Sequence, residues 1–508
     1  MQQRMRSGIG AALALTILVG SGCATVNPRQ DFERASQDVE RATGTAWPVA
    51  PADEASIAGR VTELLSGGPT SNKAVQLALL NNPRLRFELL AVGIGRAQVM
   101  QSALFTNPVL ALSVRFPDGG GLSKLEMGLS QNIAELWQIP LRMQAAQRDL
   151  DRTILDVART ASVTALKATA AYFKAVRADR DAEIARQNLE VTRQLVDLAV
   201  ASQDAVSGSE VDVNLARARP MERQLQTGRA EVVTVESRSE LAQLCGLQTP
   251  PKELALAEPL PEPTAWILAA DGVIAVVRKH RQDVRAVRQL VDAAWAQVGL
   301  EKMRFLRSFE VGVSVECSER GTRGDRNRLA ETARASAEAG QLTSPSLQPR
   351  ELLSTDWVVG PTLGVEVPLF DQNQAQIAKA GYEHQQAQQA LEALVRDLVQ
   401  QAYVALKQAQ VPAENARFCR DEYLRLQEHR LQLAQEAYRV GRTPLLAVLD
   451  VQRGLLETLP GYVAALADAG IAIVELERAA GLLAGALLAG QAGVEPNDTM
   501  GAYKDNSR

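Results

Sequence analysis

The chain repeats itself, and that repetition narrows the folds open to it more than any other feature. Arg86 and Ala97-Gln98-Val99 recur as Arg285 and Ala296-Gln297-Val298, at a constant offset of 199 positions. Farther along, Leu136, Ala171-Tyr172 and Val206 to Gly208 are echoed by Leu369, Ala402-Tyr403 and Val440-Gly441, at offsets of 231 to 234. Self-similarity on this scale marks a duplicated structural unit. Each copy reads helix, strand, strand, long helix, sharp break, helix.

The strands are legible as alternation. Leu110, Leu112, Val114 and Phe116 alternate before Pro117 to Gly121, and Leu125, Met127, Leu129 and Gln131 alternate after it, the pattern of a hairpin. In the second copy Val311, Val313 and Val315 form one arm, and Val359, Leu363, Val365, Val367 and Leu369 the other. Strands are expected at about 108–117, 123–134, 308–317 and 357–369, near the roughly 9 to 11 residues that a tilted membrane strand needs. Pro361 demotes the second arm as a strand in a soluble sheet but does less damage near a strand end. The polar stretch 318–356 reads as a long external loop or an inserted disordered segment, with a short helix around Leu329 to Ala339.

Nothing breaks the helix from Leu141 to about Ser202, and roughly 60 residues at about 1.5 Å each make it about 90 Å long. In the second copy Ile377, Ala380, Ala387, Leu391, Leu394 and Leu398 keep the three-four spacing of a coiled-coil seam. Leu398, Ala402, Leu406 and Ala409 then shift its phase, and Pro412 is expected to break or kink the helix. The Pro-rich segment Pro250 to Pro263 joins the two copies.

The amino terminus carries Arg4, Arg6, an apolar run from Ile9 to Val19 and then Gly20, Ser21, Gly22 and Cys23, which reads as a secretory signal. The small residues before Cys23 resemble a bacterial lipobox, in which the cysteine is lipidated; Gly20 stands where leucine is usual, and an ordinary signal peptide cut nearby is the alternative. Ala24 after the cysteine favours delivery to the outer membrane. Cys245, Cys317 and Cys419 lie far apart without metal or redox spacing. No later segment is expected to span a bilayer as a helix, because Asp468, Glu475, Glu477 and Arg478 interrupt the apolar carboxy-terminal stretch. A membrane-crossing mature chain would therefore cross with strands.

With a formal charge of −4 on 508 residues and no block of Lys and Arg, nucleic acid is not an expected partner. No nucleophile, phosphate-loop or zinc-protease motif appears in a working context. His280, His384 and His429 are scattered, and no catalytic residue, metal ligand or cofactor is expected.

Two hairpins flanked by long helices, duplicated in one secreted chain, resemble the TolC family of outer-membrane efflux proteins. The stretches that carry the resemblance are Gly360-Pro361 through Val367-Pro368-Leu369-Phe370-Asp371-Gln372-Asn373-Gln374, and Tyr438 to Gln452. It covers about residues 73 to 490 and implies a mainly α fold with a membrane β-barrel portion. Long coiled-coil helices would form a periplasmic α-barrel, and four strands per protomer would contribute to a trimeric 12-stranded barrel. The implied divisions are a lipoprotein-type signal peptide (1–22), a periplasmic extension (23–72), a first repeat (73–249), a Pro-rich linker (250–264), a second repeat (265–490) and a polar tail (491–508).

The resemblance implies a homotrimeric exit duct in the outer membrane of a Gram-negative bacterium, working with a periplasmic adaptor and an inner-membrane transporter. Its lipid would be covalently attached at Cys23. Val206, Ser207, Gly208 and Ser209, and Val440, Gly441, Arg442 and Thr443, match the tips that meet the adaptor. Tyr438 and Asp212 match a tyrosine–aspartate latch, and Asp450 matches an acid of the inner constriction, which makes the gate cation-selective; Ala447 stands where a second acid occurs. Cys23 to Arg29 and Leu244 to Leu247 look like the branch that exports heavy-metal cations, with drugs or other small molecules as the alternative cargo. A periplasmic coiled-coil adaptor, or a structural lipoprotein without a pore, is the rival reading.

Overall fold

A computed structural model describes residues 25–47, 54–116, 124–204, 210–248, 254–262, 270–305, 307–319, 336–340 and 355–481. The helices are α1 (Arg29–Thr43), α2 (Glu54–Leu65), α3 (Ser71–Asn81), α4 (Pro83–Ala103), α5 (Glu135–Asp204), α6 (Glu210–Leu244), α7 (Ala270–His280), α8 (Gln282–Met303), α9 (Gln374–Phe418), α10 (Arg425–Arg439) and α11 (Leu445–Ala480). The strands are β1 (Val109–Arg115), β2 (Lys124–Asn132), β3 (Phe309–Glu319) and β4 (Thr355–Val365). Helix, hairpin, long helix, break and helix thus occur twice in the same order. Two units separate by internal packing: residues 99–146 with 293–385, and residues 1–98, 147–292 and 386–508.

The smaller unit holds the strands, all antiparallel, in the order β1-β2-β3-β4. Its register sorts the side chains by chemistry. Leu110, Leu129, Val313 and Pro361 lie in one cross-strand row, Leu112, Met127, Val315 and Val359 in the next, and Val114, Leu125, Cys317 and Trp357 in a third. Because side chains alternate between faces, these rows share one face, and most of their large members are exposed. The intervening rows, Ala111-Gly128-Ser314-Gly360 and Ser113-Glu126-Glu316-Val358, are small or polar apart from Val358. An ion pair of 2.6 Å joins Lys124 to Glu316 on that second face.

Pro361 sits inside β4, opposite Val313, rather than at a strand end where a proline does least damage. Antiparallel pairing with β3 can accommodate it, because only alternate residues of a strand direct their N–H at a given neighbour. After β4 the chain turns into α9 at Asn373, whose φ of 64° is rare for a side-chain-bearing residue. Its amide donates to the Glu301 carbonyl at 2.7 Å and the Glu301 carboxylate at 2.8 Å, while its N–H donates to Asp371 at 2.9 Å. Arg307 holds the other Asp371 oxygen at 2.5 Å. The Asp371–Gln374 stretch is therefore a hydrogen-bonded corner.

In the larger unit, α5 buries Ala158, Ala161, Ala165, Ala168, Ala171, Ala175, Ala178 and Ala182 at three-four spacing. Such a stripe lets neighbouring helices approach closely. Against it run α6, tied by the two-pronged Arg238–Asp179 pair (3.0 and 2.8 Å), and α11, through Ile184, Val191, Leu195, Leu449 and Leu456. Tyr172 is fully buried, and its hydroxyl accepts from the Glu258 N–H at 2.9 Å, pinning the Pro-rich segment to α5. At the amino terminus, Asp31 is 1% exposed and takes two hydrogen bonds of 2.6 Å from Arg96, while Asp38 takes one of 2.8 Å from Arg285. These bonds fasten α1 to α4 and α8.

Two expectations about helices are corrected. Pro412 does not end α9, which runs on to Phe418; the irregularity is a π-helical turn at Cys419–Leu424. A proline removes one N–H and crowds one carbonyl, a defect that well-packed neighbours such as Ala413 and Ala416 absorb. By length and composition α11 is also apolar enough to cross a membrane. Part of its apolar surface is used in packing, since Leu449, Leu456, Val474 and Leu476 enter three different core clusters.

Candidate functional site

The turn between α10 and α11 is built by its glycine. Gly441 has φ 71°, a conformation that costs a side-chain-bearing residue about 1 kcal/mol. Its N–H donates to the Tyr438 carbonyl at 2.9 Å, and the Arg442 N–H reaches the Ala437 carbonyl at 2.8 Å. This paired pattern satisfies the last carbonyls of α10 and reverses the chain. Val440 projects outward, 67% exposed. Pro444 then starts α11, its carbonyl accepting from the Ala447 N–H at 3.1 Å. The Thr443 hydroxyl oxygen is buried without a hydrogen-bond partner.

Of the residues singled out in the sequence, Val440, Gly441, Arg442 and Thr443 form this turn, and Tyr438 lies on the last turn of α10, partly exposed. Cys23, Val206, Ser207, Gly208 and Ser209 lie outside the described residues. Asp212 is in α6, but its side chain is not described. Asp450 lies in the second turn of α11, largely exposed, and meets Arg453 at 2.7 Å.

That ion pair belongs to a larger arrangement that sequence reasoning missed. Arg453 also lies 3.8 Å from Glu457, and the same Glu457 oxygen accepts from Arg223 of α6 at 2.6 Å. Arg223 in turn donates to Gln226 at 2.8 Å. Arg453 and Arg223 are only 22% and 24% exposed at their side chains, so the tie is partly withdrawn from water. The three-residue step from Asp450 to Arg453 is a signal that helix spacing offers. The step from Arg223 to Glu457 crosses 234 positions and leaves no local trace.

The larger unit also contains Cys245, buried, with its thiol pushed up to about 12 by burial. Among the described residues, no group of three or more His, Cys, Asp or Glu is arranged to hold a metal ion.

Residues 273–482 match the family described as outer membrane efflux protein. No curated protein matches the chain by sequence. Among solved structures, the outer-membrane channel OprN is similar over 87% of this chain and 95% of its own, with 19% identity and a TM-score of 0.58. The open-state MtrE outer membrane channel of Neisseria gonorrhoeae is similar over 81% and 88%, with 19% identity and a TM-score of 0.58. The CmeC outer membrane channel of Campylobacter jejuni matches over 81% and 85%, with 14% identity and a TM-score of 0.59. Residues 273–482 thus resemble the outer membrane efflux protein family, and the chain as a whole carries the fold of these outer-membrane channels.

Proposed function

We propose that the chain is one protomer of an outer-membrane efflux channel, a passive exit for substrates that an inner-membrane transporter and a periplasmic adaptor deliver. The observation that carries this is the sheet: three consecutive rows of apolar side chains, most of the large ones exposed, on one face and mostly polar or small ones on the other. A water-exposed sheet does not present such a face, whereas a strand between lipid and an aqueous lumen requires it. The sheet is open at β1 and β4, and unpaired backbone groups are not tolerated in hydrocarbon. Copies must therefore supply each other's missing edges, and three of them make a twelve-stranded ring.

The α10–α11 turn and its counterpart after α5 meet the adaptor, Tyr438 and Asp212 latch the gate, and Asp450 lines the constriction. Cys23 carries the lipid that tethers the protein to the outer membrane. Heavy-metal cations are the cargo indicated by the Cys23–Arg29 and Leu244–Leu247 motifs, and the channel itself performs no catalysis.

The test is single-channel recording of the detergent-extracted protein in planar bilayers, with its oligomer mass measured on the same sample. A trimer with discrete openings is expected. A monomer, or a trimer that stays silent even with Tyr438→Phe and Asp212→Ala combined, overturns the channel reading. Lipidation is checked separately by mass spectrometry: the acyl mass at the mature amino terminus is expected to disappear in Cys23→Ser.

A further inference from the structure

We infer that Arg453 sets the ion selectivity of the pore by neutralising Asp450, with Arg223 and Glu457 holding it in place. The inference rests on the proposal that Asp450 lines the constriction. Within one protomer, Asp450 and Glu457 carry two negative charges and Arg453 and Arg223 two positive ones, so the connected group sums to zero. Arg453 is central to it: its guanidinium meets Asp450 at 2.7 Å on one side and approaches Glu457 at 3.8 Å on the other. Both acids lie on its own helix, one turn before it and one turn after, so helix geometry alone keeps the three together. Arg223 reaches Glu457 from α6 at 2.6 Å and fixes that carboxylate from the opposite helix.

The Arg453 Nε is buried without a hydrogen-bond partner. A guanidinium does not shed its proton to relieve this, so it stays as a fixed positive charge beside an exposed carboxylate. A ring of Asp450 carboxylates with Arg453 beside each presents ions with a dipole pattern, not a net negative ring. The wild-type pore is accordingly only weakly cation-selective. Removing the Arg453 charge uncovers one negative charge per protomer at the narrowest point, where low-dielectric walls focus the field.

The experiment is the reversal potential of the full-length channel in planar bilayers under a potassium chloride gradient, read as the potassium-to-chloride permeability ratio. Arg453→Gln is expected to raise that ratio roughly threefold or more, the scale of one unscreened charge about 6 Å from the ion path in a water-like medium. Asp450→Asn is expected to lower it, and Arg453→Lys, which keeps the charge, to leave it near wild type. Oligomer mass and melting temperature of each variant separate a selectivity change from loss of assembly. If Asp450→Asn shifts the ratio but Arg453→Gln does not, the masking role is overturned while the lining role of Asp450 stands. No shift in either variant removes Asp450 from the constriction and the inference with it. A parallel shift in Arg453→Lys and Arg453→Gln also overturns it, because loss of guanidinium packing would then be the cause.

Discussion

Gly246 closes α6 at a point where a methyl group has no room. Its φ is 66°, and a Cβ there would lie 2.3 Å from the Asn81 carbonyl oxygen. The Asn81 and Asn82 side chains donate to the carbonyls of Cys245, Gly246 and Leu244 at 2.8 to 3.1 Å. Gly246→Ala therefore combines backbone strain with a backbone clash, and a loss of about 2 kcal/mol or more is expected in chemical denaturation. Beside it, Cys245 is buried and its thiol is pushed up to about 12, so little thiolate forms at neutral pH. Maleimide at pH 8 is expected to spare Cys245 in the folded protein and to label it after denaturation. The glycine of Leu244-Cys245-Gly246-Leu247 was visible in the sequence, but the reason for it was not, because the asparagines that seal it are about 160 positions away. Gly441 was readable, since a glycine between two helical patterns has a local cause. Arg453 could have been found from its spacing to Asp450; Arg223 could not.

At the scale of elements, the strands were the most legible part, because a sheet with one apolar and one polar face has a strict two-residue period. That logic gives a paired prediction. Leu112→Arg puts a charge on the apolar face and is expected to cost about 2 to 4 kcal/mol of membrane stability, whereas Ser113→Arg, one residue on, faces the polar row and is tolerated. Folding into lipid vesicles, followed by urea titration, distinguishes them. The helices were less legible. Pro412 looked like a break and is carried inside α9, since a proline's local cost is set against packing that its neighbours in sequence do not reveal. Nor did the sequence disclose the fastening of α1. Asp31 is buried against Arg96, and Asp31→Ala leaves that guanidinium without its carboxylate, an expected cost of about 3 kcal/mol by denaturant midpoint. If the Asp31–Arg96 bond instead contributes nothing, the cost of the double variant Asp31→Ala with Arg96→Met will be the sum of the two single costs; a double no worse than Asp31→Ala alone is the expected result.

For the whole molecule, the duplication foretold that two similar halves would each bring a hairpin and a long helix, and the sheet shows them side by side, β2 of the first against β3 of the second. Their pairing could not be read from either half alone, because the partners Leu129 and Val313 have no local relation in the chain. What remains exposed is one edge from the earliest strand and one from the latest. This arrangement has a genetic consequence. In the proposed ring every subunit offers two sound edges to neighbours of the same kind, so a copy damaged at one edge does not simply drop out; it enters through the other and spoils the ring. For a ring of three assembled from equal amounts of sound and damaged chains, about one eighth of rings contain no damaged copy. A lesion confined to β1 or β4 would therefore behave as dominant in a cell carrying both alleles, while a lesion that prevents export of the chain would be recessive.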